Sequence, residues 1–399
     1  QVLSTARDIM GLWVARMVMS SMYCTGQIPF EHVIIHPTVM GADGKPMSKS
    51  RGNGVDPLVL MENYGADGMR FGLLLQVTGA QDLRFDENKL VSSRNFANKI
   101  RNAARFVSMN LEGYTPGEPV AATPADRWIF SRVAGLVKAV GEAFDAFEFG
   151  EVTRLLYGFF WNEFCDWYIE FSKARLSGSP EDRLACQRNL MFVLDQSLRL
   201  LHPIMPFVTE EIYQELPFER DSQLLIGAAW PKAEALAKYA DAQAERAIQM
   251  VCDVVSAIRS TRSRYGLSPR QELSVVVKAS EADSELLEAQ RALIQGMANT
   301  AELTVGADVA KPAQSSVSLA PGLEVYTVLA GLVDFDAEHA RLAKEQAKLE
   351  KDAEKLRKKL ANPGFLAKAA PEIVQKDTDK LAELEEALAK VSEQLSELG

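Results

Sequence analysis

No stretch of this 399-residue chain stays apolar for the roughly 20 residues a helix needs to cross a bilayer, which excludes a membrane-spanning helix. Cysteine is scarce: Cys24, Cys165, Cys186 and Cys252 lie far apart with no CxxC pair. That spacing argues against a zinc knuckle and against a disulfide framework, so no zinc is expected and the reducing cytoplasm is the expected compartment. Basic residues are not in excess, with 44 Lys and Arg against 54 Asp and Glu and a net charge of -10, which disfavours non-specific binding to DNA. A protein that reads RNA by shape needs only local basic faces, so the balance leaves RNA open. The start, Gln1-Val2-Leu3-Ser4, lacks an initiator Met, a basic n-region and an apolar h-region. It reads neither as a natural beginning nor as a signal peptide, and the chain is expected to be a piece of a longer protein.

What is present is too long for one ordinary core and implies two or three domains. Over residues 1–115 the texture is mixed: an apolar helical stretch through Trp13 and Met19, a strand-like run His32-Val33-Ile34-Ile35-His36, then a Gly-rich loop from Gly41 to Asn53. Asp56-Pro57 reads as an N-cap followed by proline at the first helical position, so a helix carrying Leu58, Leu60 and Met61 is expected to leave the loop. This order fits α/β architecture. Thr115 to Pro124 concentrates Pro, Gly and Ala without periodicity and reads as a linker. From there to about 270, apolar residues recur at helical spacing through Trp128, Val133, Val137 and Phe144, then 155–169, 190–201 and 248–258, predicting an all-α bundle.

Residues 271–332 change character. Leu273 to Val277 and Val325 to Leu329 are strand candidates around a helix at 284–297, implying a small α/β connector. From 333 to 399 two heptad seams appear, Phe335, His339, Leu342, Gln346, Leu349, Ala353, Leu356 and Leu360, then Leu381, Leu384, Leu388, Val391, Leu395 and Leu398. Asn362-Pro363-Gly364-Phe365 between them cannot continue a helix, so an antiparallel coiled-coil hairpin is expected. His339 and Gln346 are polar seam positions that would fix register.

The loop Gly44-Lys45-Pro46-Met47-Ser48-Lys49-Ser50-Arg51-Gly52-Asn53 resembles the KMSKS signature of class I aminoacyl-tRNA synthetases, with Pro46 in place of its first lysine and Lys45 one residue earlier. On residue type alone it is equally a basic surface loop. Its surroundings favour the resemblance. Ala6 to Met17, ending in WVARM, and Tyr64-Gly65-Ala66-Asp67-Gly68-Met69-Arg70-Phe71 resemble segments of the valyl-tRNA synthetase family, in the same order. So do Arg94 to Phe106 and Trp161-Asn162-Glu163-Phe164-Cys165-Asp166-Trp167-Tyr168-Ile169-Glu170, the latter from the family's anticodon-binding domain. A C-terminal hairpin with Asn-Pro-Gly-Phe at its tip resembles that family's tRNA-binding arm and separates it from the isoleucyl and leucyl relatives.

The resemblance makes residues 1–115 the C-terminal part of an α/β Rossmann-type catalytic domain, and it implies amino-acid activation by in-line displacement at the α-phosphate of ATP, accompanied by Mg2+, and esterification of tRNA(Val) with valine. Charge then builds on the departing pyrophosphate, and the ammonium of Lys49 would meet it, with Ser48, Ser50 and backbone amides bonding phosphate oxygens. Lys45, Met47, Asp8 and the backbone at His36-Pro37 are expected at ATP, and Trp13 at the valine side chain. From residue type alone, Trp13 is ordinarily core and Asp8 ordinarily an N-cap. Lys99, Arg101 and Arg105 are expected at tRNA phosphates, as are Arg259, Arg262 and Arg264 at the end of the bundle. The aromatics of 161–170 are read as core, not as base-stacking groups.

In the arm the first helix is net basic and the second net acidic, which places Arg341, Lys344 and Lys348 on the RNA-facing side. A plain salt-bridged hairpin, or one that dimerises the protein, fits the same pattern. The resemblance puts the family's HIGH motif and editing insertion ahead of Gln1, so the chain alone is expected to be catalytically inert. A monomer is expected, with tRNA(Val), valine and ATP as partners and neither DNA nor membrane. Two rivals stay open on the sequence: an isoleucyl- or leucyl-type enzyme, and a non-catalytic tRNA-binding module with a vestigial loop.

Overall fold

The computed structural model describes residues 1–41, 44–48, 51–79, 81–362 and 371–398. The chain divides into two compact units, Gln1–Ile248 and Gln249–Gly399. They part inside a helix.

The first unit begins with β1 (Val2–Ala6), a turn of 3-10 helix (Arg7–Ile9), a π-helical turn (Met10–Val14) and α1 (Ala15–Thr25). α1 stops where Gly26 adopts φ 70 and its amide bonds Met22, a left-handed cap that a Cβ would penalise. β2 (His32–His36) then pairs in parallel with β1, Ala6 opposite His36, so the two C-terminal ends lie side by side. The strand expected at 32–36 is therefore present. β3 (Val39–Met40) precedes the signature loop, and α2 (Pro57–Tyr64) follows it. Asp56 caps α2 by accepting from the Leu58 amide at 2.9 Å with Pro57 at the first position, as the sequence predicts.

α3 (Ala66–Leu75), β4 (Leu83–Arg84) and α4 (Glu87–Met109) complete this part, β4 pairing in parallel with β3. α3 and α4 approach closely because glycine faces α4. A Cβ on Gly72 would lie 2.6 Å from Leu90 Cδ2. Residues 115–123 form no regular element, yet they are not a loose tether. Arg188 donates to the carbonyls of Thr115 (3.1 Å) and Pro116 (3.2 Å), and the Asn189 amide bonds both the N–H and the carbonyl of Val120 (2.7 and 2.8 Å).

The bundle comprises α5 (Pro124–Asp145), α6 (Phe149–Tyr157), a π-helical segment (Gly158–Tyr168), α7 (Ile169–Leu176), α8 (Pro180–Leu201), α9 (Pro206–Glu215) and the short α10 (Ala233–Leu236). α11 (Ala242–Arg264) carries the chain across the unit boundary. Phe160, Phe164 and Tyr168 are fully buried, so Phe164 and Tyr168 are core as read from the sequence, whereas Trp161 and Trp167 are only half-buried. Phe96 of α4 joins them, its ring 4.9 Å from Phe71, 5.0 Å from Tyr157 and 6.0 Å from Phe160. Burial pushes the thiol of Cys165 up to about 12 and that of Cys186 up to about 11, so both stay protonated and unreactive.

The second unit holds the end of α11 and a four-stranded sheet, order β6-β5-β8-β7, built from β5 (Leu273–Lys278), α12 (Glu281–Glu288), α13 (Arg291–Ala298), β6 (Thr300–Gly306), β7 (Ser315–Ala320) and β8 (Leu323–Val328). Two expectations are corrected here. The single helix at 284–297 is two, broken at Ala289-Gln290, and the sheet has two further strands. β6 and β7 are its edges, and an edge strand needs only one neighbour and tolerates the polar Ser315-Ser316-Val317-Ser318 run that hid β7 in the sequence. α14 (Phe335–Leu360) and α15 (Pro371–Leu398) follow. Their pairings fall in reverse order, Gln346 with Ser392, Arg357 with Glu385, Lys359 with Asp377, so the helices run antiparallel. Leu342, Ala353 and Val391 are buried along the contact, and Gln346 bonds the Ser392 hydroxyl across it at 3.0 Å. His339 is exposed and does not serve as the seam position read for it. Pro363, Gly364 and Phe365 lie outside the described residues.

Candidate nucleotide and RNA-binding sites

Parallel strands point their carboxyl ends at a common crevice, and ligands of open α/β sheets bind there. β1 and β2 deliver Asp8 and His36 to that edge, and both side chains are exposed. The turns beyond the strands are tied together. Asp82 accepts from Arg7 at 2.9 Å and from the Thr38 amide at 3.2 Å, and that amide bond, helped by Arg7, holds its carboxyl below the usual range. Trp13 is 49% exposed in the π-helical turn after Asp8, so it is not the core residue that its apolar setting suggests.

The signature loop is organised through its described residues. The Gly41 amide bonds the Lys45 carbonyl at 2.8 Å, and Met40 and Pro46 form an antiparallel bridge. Asn53 clasps the loop from its far end, accepting from the Ser48 amide at 3.0 Å and donating to the Pro46 carbonyl at 3.3 Å, a carbonyl that also accepts from Arg51 at 3.4 Å. Met47 packs on a cluster of Leu60, Phe85 and Leu90 with Val39, Tyr64, Met69 and Leu73. Its side chain thus anchors the loop. Lys45 is exposed. Lys49 and Ser50 lie outside the described residues.

Of the three cations expected on α4, the structure separates one from the others. Lys99 turns to the aromatic segment, its Nζ 2.9 Å from Asp166 and 5.0 Å from the centre of the Trp161 ring. Arg101 pairs with Glu211 of α9, and Arg105 is exposed. Arg94, Asn98, Arg101 and Arg105 form one exposed stripe at i, i+4, i+7 and i+11. Arg94, passed over in the sequence reading, belongs to it, and helical spacing was the signal available.

Arg262 is corrected. It is 7% exposed, and its guanidinium donates to the carbonyls of Ser268, Ala298 and Asn299, each at 2.9 Å. Burial lowers its pKa. It ties the end of α11 to the end of α13 and presents no cation to solvent, whereas Arg259 is exposed and donates to the Met297 carbonyl at 3.3 Å, and Arg264 is half-buried. Replacing Arg262 by Met is expected to cost about 2–4 kcal/mol of stability, since three bonds to one charged donor are lost. Thermal unfolding should register that loss, and an unchanged midpoint would refute the structural role.

On α14, Arg341 pairs with Glu345 at 2.8 Å, while Lys344, Lys348, Lys351 and Lys355 form an exposed stripe at the same helical spacing. Lys351 and Lys355 extend the pair read from the sequence. Among the described residues no group of three or more His, Cys, Asp or Glu side chains is placed to hold a metal ion, and no helix is long and apolar enough to cross a membrane.

Residues 1–86 match the family of tRNA synthetases class I (I, L, M and V), and residues 126–277 match the anticodon-binding domain of tRNA ligase. Residues 334–399 match the valyl tRNA synthetase tRNA binding arm. A valine–tRNA ligase of Syntrophotalea carbinolica is 40% identical over 403 residues, 99% of this chain and 44% of that protein. Those of Carboxydothermus hydrogenoformans and Bacillus subtilis are 42% and 38% identical, each over 95% of this chain and 43% of its own length. A solved leucyl-tRNA synthetase from Agrobacterium radiobacter K84, in a ternary complex with tRNA and LeuAMS, aligns with 61% of this chain and 29% of its own at 19% identity and a TM-score of 0.48. Within the class I synthetases, the chain is similar over nearly its whole length to valine–tRNA ligases. It spans less than half the length of these curated relatives.

Proposed function

We propose that the full-length protein activates valine with ATP and esterifies tRNA(Val), and that this chain supplies its signature loop and its tRNA-docking surfaces. One observation carries the reading: class I, anticodon-binding and valyl-arm matches succeed one another in a single chain that is 40% identical to a valine–tRNA ligase over 99% of its length. The division of labour is then 1–115 for the nucleotide-side domain, 116–270 for the anticodon bundle, 271–332 for a connector and 333–399 for an antiparallel coiled-coil arm. Asp8, His36, Lys45, the Met47 backbone, Ser48, Lys49 and Ser50 meet ATP, which brings its Mg2+, and Trp13 meets valine. tRNA phosphates lie along Arg101 and Arg105, joined by Arg94, and along Lys344 and Lys348, joined by Lys351 and Lys355. Arg341 adjoins the second stripe, Arg259 and Arg264 add phosphate contacts of their own at the end of α11, and Lys99 helps through its aromatic contact. The protein works in the cytoplasm as a monomer.

Two measurements test this. The full-length protein should show valine-dependent ATP–pyrophosphate exchange and charge tRNA(Val), with isoleucine and leucine poor substitutes. The isolated chain should bind tRNA(Val) without catalysing exchange, and its affinity should fall with salt at a log–log slope near ~0.7–0.9 per phosphate neutralised. Affinity that ignores salt would remove the two stripes from the interface.

A further inference from the structure

α3 sits between the signature loop and the bundle and presents a different face to each. Its residues Met69 and Leu73 share a hydrophobic cluster with Met47 of the loop and Leu60 of α2. Its residues Asp67 and Arg70, one turn apart, face the bend that joins α8 to α9. There the chemistry is unusually matched. α9 opens on Met205-Pro206, and Met205 offers no side-chain cap. Asp67, only 7% exposed, supplies the cap from another element, its two oxygens accepting from the amides of Phe207 (3.2 Å) and Val208 (2.7 Å). Arg70 takes the other side of the bend, Nε donating to the Ile204 carbonyl at 2.9 Å and Nη2 to the Pro203 carbonyl at 3.0 Å.

The bend is stiff on its own account. The Thr209 hydroxyl donates to the Met205 carbonyl at 2.7 Å and so accepts from His202 Nδ1 at 2.8 Å. α9 in turn carries Glu211, the partner of Arg101 on the exposed basic stripe. A continuous run of packed and hydrogen-bonded groups therefore leads from the signature loop, through α2 and α3, to the helix that borders the RNA-facing cations.

Resting on the synthetase reading above, we propose that Asp67 and Arg70 are positioning residues that register the anticodon bundle to the signature loop, so that they govern transfer of valine to tRNA and not the tRNA-independent activation step. In this role both side chains act through the bend, and neither needs to touch substrate. A carboxylate bonded to two amides and a guanidinium bonded to two carbonyls fix both translation and rotation of the bend, which a purely apolar contact would leave free to slide.

Asp67→Asn and Arg70→Lys in the full-length protein test this. Asn leaves one amide facing an NH2 group, and Lys reaches one carbonyl in place of two. Expected are tRNA-independent exchange within about twofold of the parent and a tRNA charging kcat/KM lower by roughly tenfold or more, the effect of one or two charge-assisted bonds. Charging that is unchanged, or charging and exchange that fall in proportion, overturns the proposal. Proportional loss would make the joint a structural prop only. Should Asp67→Asn fail to fold, Arg70→Lys carries the comparison, because it keeps the charge. A parent protein without any valine-dependent exchange is a different failure and overturns the synthetase reading beneath the proposal.

Discussion

Replacing Lys49 by Ala in the full-length protein is expected to slow valine-dependent pyrophosphate exchange by about 10²- to 10³-fold, while ATP binding changes far less. The asymmetry follows from where charge develops. On the proposed function the triphosphate would arrive with its charge largely neutralised by Mg2+, and only as the bond to the α-phosphate opens would the leaving pyrophosphate gain charge that an ammonium can meet. Removing one such preorganised donor is worth about 3–4 kcal/mol in the transition state. The described flanks show how the sequence holds the site in readiness. Met47 is fixed in the Leu60–Phe85–Leu90 cluster, and Asn53 grips the loop at the Pro46 carbonyl and the Ser48 amide, immediately before Lys49. Proline at 46 fixes its own φ, and its carbonyl accepts from both Asn53 and Arg51. The first lysine of the signature is thus replaced by a residue that stiffens the loop. Exchange kinetics at saturating valine give the answer, and a rate unchanged in Lys49→Ala would show that the loop does not meet the triphosphate.

Features fixed by neighbours in sequence were legible without coordinates. Asp56-Pro57 announced α2, His32 to His36 announced β2, and the three-and-four stepping from Leu342 to Leu360 announced a helix that buries Leu342 and Ala353. Features decided by distant partners were not. Arg262 reads as a surface cation until the carbonyls of Ala298 and Asn299 come round to it, more than thirty residues later. Lys99 lies in a motif beside Arg101, yet Asp166 and Trp161 draw it to another face. The linker looked free because Pro, Gly and Ala carry no side-chain partners, and what holds it is the side chains of Arg188 and Asn189 on α8. The candidate site was readable in the same proportion: the loop from its motif, its clamp and its anchoring only from the fold.

Asp126→Ala is expected to destabilise the first unit by about 3–5 kcal/mol, the range for breaking one side of a buried ion pair. Asp126 is fully buried at the start of α5 and answers to four groups at once. Its carboxylate accepts from Arg175 Nη1 (2.7 and 2.8 Å), from the Tyr168 hydroxyl (2.7 Å) and from the amide and hydroxyl of Thr123 (2.9 and 2.8 Å). Truncation leaves the guanidinium of Arg175 with Asp182 alone, orphans a phenol in the core and opens the capping box of α5. The double variant Asp126→Leu with Arg175→Met separates charge from packing. A buried pair replaced on both sides by apolar groups of similar volume is often neutral, so part of the loss should be recovered, the remainder being about 1 kcal/mol for the cap and about 1–3 kcal/mol for the Tyr168 hydroxyl left without its acceptor. Urea unfolding followed by tryptophan fluorescence reads this unit by itself, because all five tryptophans, Trp13, Trp128, Trp161, Trp167 and Trp230, lie within Gln1–Ile248. A single-variant loss below about 1 kcal/mol, no more than an exposed ion pair contributes, would mean that water reaches the Asp126 site and that the pair does not hold α5 to α7.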